Sequence, residues 1–191
     1  MGIIGNQSLE QLRKLSKENS WDLIAVRHPK HHTAMKQALF ERALDEKKSI
    51  RYLARSFNSA FHDQKVVESL HDYISCGGDI KVLIWDLPNV GGEVEARIRE
   101  LEKLSWHFDL MTTGTRELGD QITPRFIVDD SVVYAFAPHQ YHGNTKFSGS
   151  RPEMAARVQF GGKDGVVKST EYFDALWNAC SEAQSGSRRV S

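Results

Sequence analysis

Thr123-Pro-Arg-Phe-Ile-Val-Asp-Asp130 continues through Ser131-Val-Val-Tyr-Ala-Phe136 into Ala137-Pro-His-Gln140, and the rest of the chain reads outward from it. Two apolar runs, Arg125–Val128 and Val132–Phe136, flank Asp129, Asp130 and Ser131. Aspartate and serine side chains bond their own backbone and favour turns, so the stretch predicts a β-hairpin. A long polar stretch from Pro138 to Pro152 follows and is expected to be a loop, the kind of segment that often carries function.

Upstream, the period of apolar residues switches repeatedly between two and about 3.6. Ser49–Phe57 alternates and predicts a strand; Val66, Val67, Leu70, Tyr73 and Ile74 place a helical stripe between Ala60 and Ser75. Gly77-Gly78 ends that helix, and Ile80–Trp85 is a nearly continuous apolar run of the kind buried on both faces of a parallel sheet. Residues 49–85 therefore read as one β-α-β unit. A helix over Glu93–Ser105 and a strand over Phe108–Thr112 lead into the hairpin.

Nearer the start, Ser8 and Gln11 form a capping box that opens a helix to about Asn19, Asp22–Arg27 is expected to be a strand, and Lys30–Lys47 has helical spacing. Beyond the loop, Met154–Phe160 alternates as a strand and residues 161–165 are expected to turn. A last helix from Ser169 would bury Phe173, Leu176, Trp177 and Cys180, and the residues after Ser181 read as a disordered tail. The expected organisation is an N-terminal helical arm over 1–35, one α/β domain over 36–181 with a mixed sheet flanked by helices, and a tail over 182–191.

Composition narrows the function classes. With 25 basic and 25 acidic residues the chain has no global field to draw it onto nucleic acid or an anionic membrane, so any such binding is local. Cys76 and Cys180 are far apart without metal-type spacing, which suits free thiols in a reducing compartment. No apolar run approaches the about 20 residues that span a bilayer, and a cytoplasmic location is the default expectation.

The hairpin spacing resembles the motif of phospholipase D-type phosphodiesterase domains, His-x-Lys-x4-Asp followed by Gly-Ser-x-Asn. On that pattern Thr123 stands at the nucleophilic His, Arg125 at the Lys, Asp130 at the Asp, and Ala137, Pro138 and Gln140 at the Gly, Ser and Asn. The segments Ala43–Phe57 and Leu70–Asp86 and the ending Glu171–Trp177 are similar to the same family, so the resemblance runs over about residues 36–181 and implies a single phospholipase D-like half-domain. In the family the His attacks a phosphodiester phosphorus, while Lys and Asn hold its oxygens.

Here the threonine hydroxyl has no neighbouring base spaced to activate it, whereas Arg125 keeps a positive charge with a bidentate fork. The resemblance therefore implies a catalytically degenerate module that binds an anionic, phosphate-containing ligand, nucleic acid or a protein partner in a regulatory role. Thr123, Arg125, Asp130, His139 and Gln140 are its expected contacts, and no cofactor is expected. Arg125 has a second reading, a surface pair with Asp129 or Asp130. Two other functional readings stay open. One is a phosphodiesterase or nuclease whose histidine has moved to His139, His142 or His62; the other is a purely structural interaction domain.

Other constellations read more blandly. His28, His31 and His32 lack a nearby cysteine or carboxylate to complete a zinc site, so no metal is expected. Asp63 is expected to cap a helix. Arg27, Lys30, Lys36 and Arg42 suggest a basic face, interrupted by Glu41, Asp45 and Glu46. With the hairpin at a sheet edge, Phe126, Val128, Val133 and Phe136 would leave an apolar patch, which predicts a symmetric homodimer. Closure by Ser8–Arg27 is the competing expectation.

Overall fold

The computed structural model describes residues 9–18, 24–26, 29–56, 60–61, 63–86, 93–104, 107–113, 117–118, 124–136, 156–160 and 163–187. In chain order the elements are α1 (Leu9–Lys17), β1 (Ile24–Val26), α2 (Pro29–Glu46), β2 (Ile50–Ser56), α3 (Gln64–Ser75), β3 (Ile80–Asp86), α4 (Glu93–Leu104), β4 (Phe108–Thr112), β5 (Arg125–Val128), β6 (Val132–Phe136), β7 (Ala156–Phe160) and α5 (Lys163–Ser187). The strands form one mixed sheet in the order β1-β7-β6-β5-β2-β3-β4. The β2-β3-β4 half is parallel and the β2-β5-β6-β7-β1 half antiparallel, so the expected β-α-β unit and hairpin meet at β2.

Alternation along the central strands divides the apolar residues between two cores. Tyr52 and Ala54 of β2, Val82 and Ile84 of β3, and Phe126 and Val128 of β5 face α2 and α3, where they meet Met35, Leu39, Phe40, Val67 and Leu70. Leu53, Leu83 and Ile127 point the other way, onto Val166, Phe173, Leu176 and Cys180 of α5. Burial on both faces is why these strands read as continuous apolar runs. Aromatic edges lock the larger core, with Phe40 crossing Phe126 at 5.2 Å between centroids and Tyr52 lying 5.1 Å from Phe126.

The turn out of α3 is closed by glycine chemistry. Gly77 adopts φ +85°, which L side chains rarely reach, and the amides of Gly77 and Gly78 bond the carbonyls of Ile74 and Tyr73. A Cβ on Gly78 would collide with the Tyr73 ring, whose hydroxyl donates to the Lys48 and Asp79 carbonyls at 2.6 and 3.0 Å.

Four expectations need correction. The last helix begins at Lys163, where a turn was expected, because Val166 already docks in the second core, and that burial outweighs the cost of about 1 kcal/mol for a helical glycine at Gly165. The same helix continues past Ser181 to Ser187, held on β4 by Ser181 against Met111 and by Gln184 donating to the Thr112 carbonyl at 3.0 Å. The strand expected over 22–27 forms at Ile24–Val26 as the sheet's outer strand on β7, inside the stretch assigned to an N-terminal arm, and the arm's boundary at position 36 falls inside α2.

The fourth concerns the hairpin, which lies inside the sheet between β2 and β7. Phe126, Val128 and Val133 are consequently buried within one chain, so the exposed patch from which a homodimer was expected is absent at these three residues. The Phe136 side chain, the Ser8 cap and the 138–152 loop lie outside the described residues. In the N-terminal segment, β1 extends the sheet at β7 and α1 packs on α2 with an Arg13–Glu41 ion pair.

Candidate functional site

Arg125 opens β5 opposite Leu53, toward the carboxyl-terminal end of β2. It alternates with Phe126, so it shares the α5 side of the sheet with Ile127. There Nη1 donates to Ser169 Oγ at 2.9 Å, and the guanidinium carbon lies 4.8 Å from the centre of the Tyr172 ring. The Nε atom is buried and has no hydrogen-bond partner among the described residues. A cation braced on an aromatic face with a donor unspent is an arrangement suited to an oxyanion.

The hairpin aspartates sit at the far end of β5 and do not pair with Arg125. Asp130 takes the left-handed turn conformation at φ 59°, is largely exposed, and pairs with Lys48 at 3.4 Å. Asp129 engages Arg51, which also reaches Asp174 of α5 at 3.1 Å. Burial pushes the Asp129 carboxyl up against the opposing pull of Arg51. Of the expected contacts, the structure thus places Arg125 and Asp130 at opposite ends of one strand. Thr123, His139 and Gln140, together with His62 and His142, lie outside the described residues.

A second constellation, which sequence reasoning did not assemble, occupies the α2 face. Tyr52, Phe126 and Tyr134 stand in register across β2, β5 and β6. Tyr134 shares a hydrogen bond with His32 Nδ1, while Lys36 Nζ donates to the Ala60 carbonyl at 2.9 Å and sits 5.3 Å from the centre of the Tyr52 ring. Thr33 donates to Asp63 at 2.8 Å, and Asp63 also caps α3, as expected, by accepting from the Lys65 amide. Burial brings the Lys36 amine down to about 7, against the favourable charge of Asp63, and raises both tyrosine hydroxyls.

The signal for this cluster was present in α2. His32 and Lys36 fall four residues apart and continue into the apolar positions Leu39, Phe40 and Ala43, which puts polar groups on the inward face. The expected basic face loses two members for the same reason, while Arg27 and the Lys30 side chain lie outside the described residues. Lys36 is buried, and so is Arg42, which bonds Ser131 Oγ at 2.7 Å and pairs with Glu46 at 2.9 Å, tying α2 to the hairpin turn. Among the described residues no set of three histidine, cysteine or acidic side chains is grouped to hold a metal, and no helix is long and apolar enough to cross a membrane.

No protein-family model and no curated protein sequence matches the chain. Solved structures do. The phospholipase D family member Nuc from Salmonella typhimurium superposes with a TM-score of 0.51 at 18% identity, over 83% of this chain and 95% of its own. NucT from Helicobacter pylori gives 0.53 at 11% identity, over 83% and 96%. The archaeal chromatin protein TrmBL2, described as showing a novel mode of DNA binding, gives 0.57 at 16% identity, over 88% of this chain and 59% of its own.

Proposed function

From the premise of a phospholipase D-type fold, we propose that this chain is a non-hydrolysing module that binds a phosphate-bearing anion, with Arg125 as its charged contact. The observation that carries the reading is the state of that guanidinium. It is drawn away from both hairpin carboxylates, braced by Ser169 and Tyr172, and has an unpartnered Nε among the described residues. Arginine cannot be neutralised near pH 7 and offers a planar fork that matches phosphate geometry.

Absence of turnover is supported by sequence. Thr123 stands where the family motif has its nucleophilic histidine, and a threonine hydroxyl without a base is a weak nucleophile. The Gly-Ser-x-Asn half is altered as well. Nucleic acid is one source of the phosphate, a reading supported by the likeness to a DNA-binding chromatin protein. With no net charge on the chain, such binding would depend on local contacts and show a shallow salt dependence.

The test is titration of inorganic phosphate, a dinucleotide and duplex DNA into the parent, Arg125→Ala and Arg125→Lys. A charge-assisted contact contributes about 1.5–3 kcal/mol, so Arg125→Ala is expected to weaken binding about tenfold or more, with Arg125→Lys between the two. Equal affinity in all three proteins would place the site elsewhere. A chromogenic phosphodiester is expected to remain intact. Hydrolysis that persists through purification and vanishes with His139→Ala, His142→Ala or His62→Ala would replace the binding reading with a relocated active site.

A further inference from the structure

The α5 side of the sheet carries cations at both ends of β2, and only one end is compensated. At the amino ends of β2 and β3, Arg51 pairs with Asp129 and Asp174, while Lys81 lies over the Trp177 ring and stands opposite Asp109. At the carboxyl end of β2 are Arg125 and Arg55. Arg125 bonds only Ser169, Arg55 is exposed, and neither pairs with a carboxylate among the described residues.

Register brings the two arginines together. Arg125 is paired with Leu53, and Arg55 lies two residues further along β2 on the same face, since Ala54 between them turns into the other core. A diagonal of this kind spans about 7–8 Å, comparable to the spacing of neighbouring phosphates along an extended nucleic-acid strand. Trp85 is the neighbour of Arg55 on β3, because both fall between the paired Ala54–Ile84 and Ser56–Asp86. Trp85 is only partly buried against the second core, and its ring meets no other ring among the described residues. Other rings on this side are already taken: Trp177 stacks on Phe173 and carries Lys81, and Tyr172 carries Arg125.

Resting on the reading of Arg125 as an anion contact, we propose that Arg125 and Arg55 hold successive phosphates of a single-stranded nucleic acid, with one of its bases stacked on Trp85. Two guanidinium groups set side by side without a counter-charge repel each other. One phosphate bound at Arg125 leaves the second charge unmet, whereas a chain of phosphates meets both. The indole selects the single strand, because only an unpaired base is free to lie flat on an aromatic face; in a duplex the bases are stacked on one another. Two phosphate contacts on a single strand give a slope of log affinity against log salt of only about −1.4, as a chain without net charge requires.

Titration of the full chain with inorganic phosphate, a short oligothymidylate, its duplex with oligoadenylate and inorganic polyphosphate tests this. The parent is expected to bind the oligothymidylate more tightly than the duplex and either inorganic probe. Arg55→Ala, at an exposed position, should cut the preference for oligothymidylate over phosphate about fivefold or more and flatten the salt slope by about 0.7. Trp85→Leu keeps an apolar group against the core; it should weaken the oligothymidylate about fivefold or more, and polyphosphate, which has no bases, much less. A preference unchanged in Arg55→Ala, or a duplex bound as tightly as the single strand, would overturn the proposal. So would polyphosphate bound as well as oligothymidylate, which would make the chain of phosphates an inorganic one. Failure of the anion reading itself shows separately, as a phosphate affinity that is the same in the parent and in Arg125→Ala.

Discussion

Each face of the sheet sets one cation against a tyrosine, and the two do opposite things. On the α5 face Arg125 lies over Tyr172 with its charge intact; on the α2 face Lys36 lies near Tyr52 with its amine brought to about 7. The arginine is only partly buried, whereas the lysine is sealed under a helix. Guanidinium keeps its proton under almost any surroundings, while an ammonium loses it when desolvated. The same pairing therefore makes a permanent charge on one side and a titrating group on the other.

The largest effect that would sharpen this contrast comes from the apolar floor of the α2 face. Phe126 is fully buried between Phe40 and Tyr52, so Phe126→Ala is expected to destabilise the fold by about 3–5 kcal/mol in urea unfolding at constant slope. A loss under about 1 kcal/mol would mean the two faces are not packed as described.

Lys36→Met comes next and has the opposite sign. Replacing a buried charge with an apolar chain of similar size should stabilise the fold at pH 7 by about 1–3 kcal/mol, after about 1 kcal/mol for the lost Ala60 bond. Because the folded-state value lies below the unfolded 10.5, the folded protein binds fewer protons between these limits. Stability of the parent should therefore rise as pH goes from about 7 to 10.5, and the variant should show no such rise. Unfolding midpoints at pH 7, 8 and 9 decide it.

On the α5 face, Arg51→Ala removes the bridge from β2 to Asp129 of the hairpin turn and Asp174 of the helix. The groups are partly exposed, so screening holds the expected loss to about 1–2 kcal/mol, shrinking with added salt. A cost that does not change with ionic strength would assign Arg51 to packing instead of charge. Ser169→Ala is the smallest change, about 0.5–1.5 kcal/mol for one hydrogen bond. It should alter anion affinity at Arg125 more than it alters stability; the reverse result would make Ser169 a structural contact only.

The linear chain was enough for most elements. The change of apolar period at Ser49, the glycine pair after Ser75 and the aspartates of the 129–131 turn are local signals, and β2, α3, β3 and the hairpin formed close to where those signals put them. The family resemblance and the mixed α/β sheet were legible for the same reason, since both rest on element order and spacing. Local signals also located Arg125 at the head of β5 and Asp63 as a cap.

What required the tertiary structure was everything set by which strand lies beside which and which helix face turns inward. Residues 163–168 and 181–187 became helical because Val166 joined the core of Leu53 and Gln184 found the Thr112 carbonyl, partners far away along the chain, and no local propensity encodes such contacts. The hairpin went to the middle of the sheet because β7 and β1 paired beyond it, which buried Phe126, Val128 and Val133 without a second chain. Lys36 and Arg42 read as surface residues by type, yet the apolar stripe of α2 carried them inward, where burial changed the chemistry of one and committed the other to the turn at Ser131. Type and spacing are properties of the chain; desolvation and partnership arise only when the two faces close.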